Sequence, residues 1–458
     1  MEERTVAAVS TPLGKGGVAL VRVSGDEAVE ICEKVFYPKS GKKLSEIKPG
    51  TAIYGYIYSE KERIDDGIAV VFRAPRSFTG EDTVEITCHG GIFITECVLE
   101  AVLSAGAFPA GPGEFTKRAF LSGKLGLSQA EAIADVIDAA SKEQVRLASA
   151  NTRGVLSREV GELSDRLENI LSSTYAYIDY PDEDLTDVTP EEMKNELSDV
   201  ILSLTKLIDT YHTGKAVRDG IDTVILGKPN TGKSSLLNLL CRENRAIVTD
   251  KAGTTRDLIE EKVTAGRVTL NLCDTAGIRK TDDKVEKIGV ERANDRAKGA
   301  ALLFAVFDCS RQADNEDFAV VKSIREMNNA KIAVINKCDL EKKLDFAPFA
   351  DAFDKTVEIS ALTGEGAQEL IDTVNEMYFS EEIDYDKTAI VSNARQFSSL
   401  TEAKKRLEAA LSALETGQTQ DIAALDIELA LSSLFSLDGR EVSERIVDGI
   451  FSRFCVGK

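Results

Sequence analysis

The sequence predicts a multidomain α/β plus α protein. An N-terminal α+β domain (1–120) comes first. A helical domain split in sequence (121–215 and 381–458) follows, with a doubly wound α/β domain (216–380) inserted between its halves. Three observations carry this. Gly227-Lys-Pro-Asn-Thr-Gly232-Lys233-Ser234 reads G-x-x-x-x-G-K-S between an apolar run at 223–226 and a helical pattern at 235–240, which is the order of a phosphate-binding loop. Downstream, apolar runs at 270–273, 331–335 and 356–359 each end in a short polar motif, as the strands of a nucleotide-binding sheet do. The flanks differ in texture, with Gly- and Pro-punctuated strand patterns before residue 120 and a 3.6-residue apolar period after it.

In chain order, residues 18–23, 67–72 and 83–87 read as strands and 26–36 has helical spacing. Gly14-Lys-Gly-Gly17 looks like a second phosphate loop, but a strand pattern follows it, so it reads as a turn. Ser128 can cap a long helix with Ala130, Ile133, Val136, Ile137 and Ala140 on one side, running towards residue 177. Thr189-Pro190-Glu191-Glu192 is a helix start, with cap, Pro at N1 and acid at N3, and the helix runs to about 211. After the inserted domain, 393–415, 421–435 and 443–454 are helical again. Insertion of a domain whose termini lie close together is well tolerated.

The motifs in the inserted domain specify a Ras-like P-loop GTPase. Lys233 offers a point charge to the β/γ-phosphates, and the Ser234 hydroxyl a Mg²⁺ ligand. Asp274-Thr-Ala-Gly277 places an acid and a switch glycine at a strand end. In Asn336-Lys337-Cys338-Asp339 the carboxylate can accept both N–H groups of a guanine edge, and the Lys337 stem can cover the base. Ser360-Ala361 offers a backbone N–H to the guanine oxygen. The expected GTP contacts are Asn230, Thr231, Gly232, Lys233, Ser234 and Ser235, then Thr249, Asp250, Lys251, Ala252, Gly253, Thr254 and Thr255. Asp274, Thr275, Ala276, Gly277, Asn336, Lys337, Asp339, Ser360 and Ala361 complete them. Ile278 stands where Ras-type enzymes carry a water-orienting Gln. Another arrangement is needed, and the Asn230 side-chain carbonyl can hold a cation near the β/γ-phosphates. Residues 249–257 supply a switch threonine and backbone carbonyls to close a cage. Glu286 is a candidate to position water, although on sequence alone it is one acid in a charged loop.

Composition sets limits. The 458 residues are 43% hydrophobic and 29% charged, ordinary for a globular chain. No apolar run reaches the ~18 residues of a membrane helix. The start, Met-Glu-Glu-Arg, lacks a signal-peptide pattern, so a cytoplasmic protein with no membrane partner is expected. Eight cysteines without a C-x-x-C, and two histidines, argue against zinc sites and disulfide frameworks. The net charge of −21 opposes nonspecific nucleic-acid binding but allows a local basic groove.

Several further segments carry a resemblance across essentially the whole chain: Phe78-Thr-Gly-Glu-Asp82, His89-Gly-Gly91, Pro112-Gly-Glu-Phe-Thr116, Arg118-Ala-Phe-Leu121, Gln129-Ala-Glu-Ala-Ile133, Gly253-Thr-Thr-Arg256 and the final Phe454-Cys455-Val-Gly-Lys458. On these the chain resembles the MnmE (TrmE) family of tRNA-modifying GTPases. Val456 stands where isoleucine is usual and Gly126 where an acid is common. The resemblance implies that the N-terminal domain (1–120) both forms the homodimer and binds a one-carbon folate, 5,10-methylenetetrahydrofolate or a formyl-tetrahydrofolate analogue, through Arg22, Glu85, Lys124 and Lys458. It implies a heterotetramer with the flavoprotein MnmG, and formation of aminomethyl or carboxymethylaminomethyl groups at C5 of the tRNA wobble uridine. It further implies potassium activation, with Asn230, Thr249, Lys251 (by its carbonyl) and Thr254 as K⁺ ligands, Ser234 and Thr255 on Mg²⁺, and Glu286 positioning water. Cys455 has two readings: a thiolate that attacks C6 of uridine, or a packed thiol that places the end of the chain beside the folate. A GTP-dependent switch in ribosome assembly or RNA binding is the alternative function, disfavoured by the acidic flanking domains.

Overall fold

The computed structural model describes residues 4–179, 189–244, 260–273, 297–379 and 383–458. The chain forms two compact units, Met1–Ala134 with Leu431–Lys458, and Asp135–Ala430.

The first unit is built on a seven-stranded sheet of β1 (Val6–Val9), β2 (Val18–Ser24), β3 (Phe36–Pro38), β4 (Ala52–Ser59), β5 (Glu62–Phe72), β6 (Thr83–His89) and β7 (Phe108–Pro109). Its order is β3-β4-β5-β6-β2-β1-β7, antiparallel except for the β1–β7 pair. Alternation along the strands sends Val21, Val23, Ile57, Ala69, Val71, Val84 and Ile86 to one face, where they pack with α1 (Ala28–Glu33) and α2 (Ile92–Ser104). The opposite face holds Arg22 and Glu85, directly across from each other on β2 and β6. The predicted helix at 26–36 is thus shorter, because residues 36–38 leave it to pair with β4. Residues 11–17 form bends that lead into β2, as expected of a turn. Helix α3 (Glu114–Leu121), the first part of α4 (Leu127–Asp138), the end of α13 (Gln420–Asp438) from Leu431 onward and α14 (Glu444–Phe451) complete this unit. A small core of Leu127, Ala130, Val447, Phe451 and Phe454 joins them.

In the second unit, β8 (Ile221–Leu226), β9 (Glu260–Ala265), β10 (Val268–Cys273), β11 (Leu302–Asp308), β12 (Ala330–Asn336) and β13 (Lys355–Glu358) form a sheet of order β13-β12-β11-β8-β10-β9. Only β9 runs antiparallel to its neighbour. All seven residues of β11 are buried, as expected of a central strand covered on both faces. Helices α9 (Lys233–Asn244), α10 (Asn315–Arg325) and α11 (Ala367–Tyr378) belong to this sheet's surroundings. The helical remainder comprises α5 (Lys142–Thr152), α6 (Val155–Asp179), α7 (Pro190–Asp209), α8 (Tyr211–Asp219), α12 (Ala394–Glu415) and the first part of α13 (Gln420–Asp438).

The long helix expected from Ser128 onward is three helices. Ser141 caps α5 by accepting from the Gln144 N–H while the Gln144 side chain returns to the Ser141 N–H, and Gly154 takes φ +74° between α5 and α6. The start of α7 forms as expected, with Thr189 accepting from Glu192 and Pro190 opening the helix. Among the described residues no helix is long and apolar enough to cross a membrane.

Candidate functional site

Strand β8 ends at Leu226 and delivers the phosphate loop. Gly227 has φ +143°, and a Cβ there would lie 2.5 Å from the Val306 carbonyl oxygen of the neighbouring strand. Asn230 stands at φ +63° and Gly232 at φ +100°. The loop is held from below: Thr231 is fully buried and its hydroxyl donates to the Lys228 carbonyl at 3.0 Å. The Lys228 ammonium pairs with Asp314 and lies 3.1 Å from Asp317. Lys233 Nζ donates to the Gly227 and Lys228 carbonyls at 2.7 and 2.8 Å, which places its charge over the loop whose N–H groups would face a phosphate.

At the end of β12, Asn336 joins two loops. Its Nδ2 donates to the Thr231 carbonyl at 2.8 Å and its Oδ1 accepts from the Ala361 N–H at 2.9 Å. The same residue thus fixes the phosphate loop against the Ser360-Ala361 loop. Asp339 Oδ1 accepts from the buried Ser360 hydroxyl at 2.6 Å, which orients the carboxylate and leaves its second oxygen for a ligand. Lys337 takes φ +68° and its ammonium pairs with Asp308. Burial pushes the Asp308 carboxyl up, but hydrogen bonds from Lys337 and Ser310 outweigh it and hold the group below the usual carboxylate range. Asp308 and Asp317 did not stand out in the sequence, because no short motif contains them, and Lys228 occupies one of the variable positions of the G-x-x-x-x-G-K-S motif. Of the remaining GTP and metal candidates, Thr249, Asp250, Lys251, Ala252, Gly253, Thr254, Thr255, Asp274, Thr275, Ala276, Gly277 and Glu286 lie outside the described residues. Asp339→Asn is expected to weaken GTP binding by about 1.5–3 kcal/mol, the worth of a charged hydrogen bond lost at the base; titration with a fluorescent GTP analogue measures it, and unchanged affinity means the base is read elsewhere.

The first unit carries a second constellation. Arg22 binds Glu85 through Nε at 2.9 Å and Nη2 at 2.8 Å, and its guanidinium lies 5.7 Å from the Phe78 ring centroid and 5.4 Å from that of Phe115. Phe115 is a joint: its backbone N–H donates to the Lys458 carbonyl at 3.0 Å. Lys124 Nζ donates to the Pro75 carbonyl at 2.8 Å, tying it to the segment that leads to Phe78. Arg118 binds Glu81, Glu114 and the Arg4 carbonyl, and Glu81 also accepts from Ser24. Arg118 and Glu81 were visible in the sequence only as parts of segments that carry the resemblance, without a role.

The final five residues lie along this unit. Phe454 is buried against Phe451, with ring centroids 5.3 Å apart. The Cys455 carbonyl accepts from Gly113 at 3.3 Å, Val456 bridges Pro112, and the Gly457 carbonyl accepts from the Ser10 hydroxyl at 2.9 Å. The Cys455 side chain is exposed, so Phe454 and the backbone position this tail and the thiol does not.

Residues 127–455 match the family model of the MnmE helical domain, and residues 5–124 that of the GTP-binding protein TrmE N-terminus. The chain is 41% identical over 458 residues to the tRNA modification GTPase MnmE of Thermoanaerobacter pseudethanolicus, covering 99% of each chain. It is 40% identical over 456 residues to the MnmE of Clostridioides difficile, again covering 99% of each. Among solved structures, it is similar to Era in complex with MgGDPNP and a 16S ribosomal RNA segment, at 26% identity and a TM-score of 0.28, over 41% of this chain and 66% of that one.

Proposed function

The chain belongs to the MnmE family of tRNA modification GTPases, and on that premise we propose that it is a potassium-activated GTPase that acts with the flavoprotein MnmG to install aminomethyl or carboxymethylaminomethyl groups at C5 of the tRNA wobble uridine, taking the carbon from a folate. Its working form in this reading is a cytoplasmic homodimer within a heterotetramer with MnmG. The GTPase domain is assigned to 216–380, the folate domain to 1–120, and the helical domain to 121–215 and 381–458.

The observation that carries the carbon-transfer part is the placement of the tail. Phe115 faces Arg22 with its ring and donates its backbone N–H to the Lys458 carbonyl, so two of the assigned folate residues meet at one residue. The donor set suits the ligand: a carboxylate, Glu85, oriented by its ion pair with Arg22, for the N–H groups of a pterin edge, and the Lys124 and Lys458 ammonium groups for an anionic tail. A bound folate would supply the one-carbon unit. Cys455 is exposed at the same end of the unit; as a thiolate it can add to C6 of uridine and raise electron density at C5. Cys455→Ser is expected to keep GTP and formyl-tetrahydrofolate binding while wobble-uridine modification stops, because serine is far less acidic and less nucleophilic. Mass spectrometry of tRNA nucleosides from a strain carrying this variant decides it, and full modification removes the nucleophile role.

For hydrolysis, Lys233 holds the phosphates, Ser234 with Thr255 would hold Mg²⁺, and Asn230 with Thr249, Lys251 and Thr254 would hold K⁺. Ile278 cannot orient water, which leaves Glu286 for that task. The positive φ of Asn230 supports a special position for its side chain at the loop tip. Turnover is expected to be at least tenfold higher in KCl than in NaCl at matched ionic strength, since the cation acts on transition-state charge and one positive group there is worth that much or more. Equal rates would exclude a potassium site.

A further inference from the structure

We propose that the edge of the N-terminal sheet formed by β3 and β4 is a stacking platform for unpaired bases of the tRNA substrate. Tyr54, Tyr56 and Tyr58 occupy alternate positions of β4 and so share one face. Tyr37 on β3 is the direct cross-strand partner of Tyr56. Their rings meet edge to face, with Tyr37 and Tyr58 centroids 5.1 Å apart and those of Tyr54 and Tyr56 5.9 Å apart. These are not core aromatics. The opposite face of β4 supplies the buried Ile57, whereas Tyr37 is 49% and Tyr54 43% exposed.

The charge around them has the sign a phosphate chain requires. In a chain of net charge −21, residues 34–66, which span the platform, carry seven Lys and Arg against five acids. Two of the cations sit on the rings themselves: Arg63 is 4.1 Å from the Tyr56 centroid and Lys39 5.8 Å from that of Tyr54. The one acid among the rings, Asp66, is engaged by the Tyr54 hydroxyl and by Arg63, both at 2.8 Å. That contact neutralises it and holds the Tyr54 ring in place. Exposed aromatic faces interleaved with Lys and Arg are how single-stranded RNA is held, since every base has a face to stack and every nucleotide a phosphate. A second copy of this chain fits less well, because it would bring the same positive segment against this one.

The platform shares its sheet face with Arg22 and Glu85. The register runs Tyr54 to Ile68 to Thr87 to Leu20 across β4, β5, β6 and β2, and Arg22 is the next same-face residue after Leu20. Three strand spacings separate the platform from β2, about 14 Å. On the folate reading given above, on which this extension alone rests, RNA bases anchored at the tyrosines would place a neighbouring nucleotide near the carbon donor.

The test is fluorescence anisotropy of labelled, unmodified tRNA with the full-length protein, without GTP or folate. Tyr54→Ala is expected to weaken binding about tenfold, the loss of one base–aromatic stack, while Tyr54→Phe stays within twofold of wild type because the stacking face remains. The Lys39→Glu, Lys42→Glu double variant should lower the slope of log affinity against log salt by about 1.4, two contacts at ~0.7 each. GTP turnover should not change in any of them. Unchanged affinity and salt slope in both Tyr54→Ala and the double variant overturns the proposal. So does an altered sedimentation coefficient with unchanged RNA affinity, which makes this face a self-association surface. Failure of the folate reading would show separately, as absent formyl-tetrahydrofolate binding in the wild-type protein, and leaves the RNA result standing.

Discussion

Gly232→Ala should lower GTP affinity by at least a hundredfold. The residue sits at φ +100°, where a side chain is strained, and a Cβ added there would lie 2.0 Å from Asn336 Nδ2. Asn336 cannot yield cheaply, because its amide holds the Thr231 carbonyl on one side and the Ala361 N–H on the other. The substitution therefore costs about 1–2 kcal/mol of backbone strain and a hydrogen bond of about 1 kcal/mol. It also displaces the loops meant for the phosphates and the base at the same time. A hundredfold change corresponds to about 2.7 kcal/mol, within that sum. Titration with labelled GTP gives the affinity, and circular dichroism shows that the sheet still folds. A dissociation constant within threefold of wild type would mean that the loop relaxes around the methyl group without moving its N–H groups.

Gly457→Val should abolish wobble-uridine modification while GTP hydrolysis by the purified protein stays at the wild-type rate. Gly457 has φ +96°, and a Cβ would meet the Val9 carbonyl oxygen at 2.1 Å and Val9 C at 2.9 Å. These are backbone atoms of a paired strand, so the tail has to leave. With it go the Ser10 bond to Gly457, the Val456 bridge to Pro112 and the Phe115 bond to Lys458. Cys455 then loses its position relative to Arg22 and Glu85. Nucleoside mass spectrometry and a phosphate-release assay on the same variant read the two activities. Normal modification would show that a docked tail is not required, and a parallel loss of GTPase rate would show that the damage spreads beyond the first unit.

The nucleotide half of the molecule was legible where chemistry forces local spacing. A phosphate loop needs Gly and Lys within eight residues, and β8, β11 and β12 are largely apolar runs because both sheet faces are covered there. The Asn336 link between two loops was not legible, since it depends on residues over a hundred positions from Thr231 coming together. In the first unit, β4 escaped notice: Tyr54, Tyr56 and Tyr58 alternate with Gly55 and the buried Ile57, and aromatic residues facing solvent do not give the apolar-in, polar-out signal. The break between α4 and α5 was hidden because Ala139 and Ala140 suit a helix, and only the Ser141 and Gln144 pair marks the new start. The tail motif was recognisable, but nothing in its five letters tells that Phe454 and Gly457, rather than Cys455, hold it down.

The membership of Leu431–Lys458 in the same compact unit as Met1–Ala134 has a consequence for biosynthesis. The N-terminal sheet emerges from the ribosome first, yet the helix and tail that cover α3 and the edge of β1 are made only after all of residues 135–430. Until then Phe120 and Leu127 lack their partners Phe451 and Phe454, and apolar surface waits in the open. Domains of multidomain chains tend to fold in the order of synthesis, but this one can finish only after the domain that follows it. The equilibrium cost of so long an excursion is small, growing by about 0.6 kcal/mol per doubling of length. The kinetic exposure is the greater burden, and nascent chains stalled before residue 431 should engage chaperones that the released protein does not need.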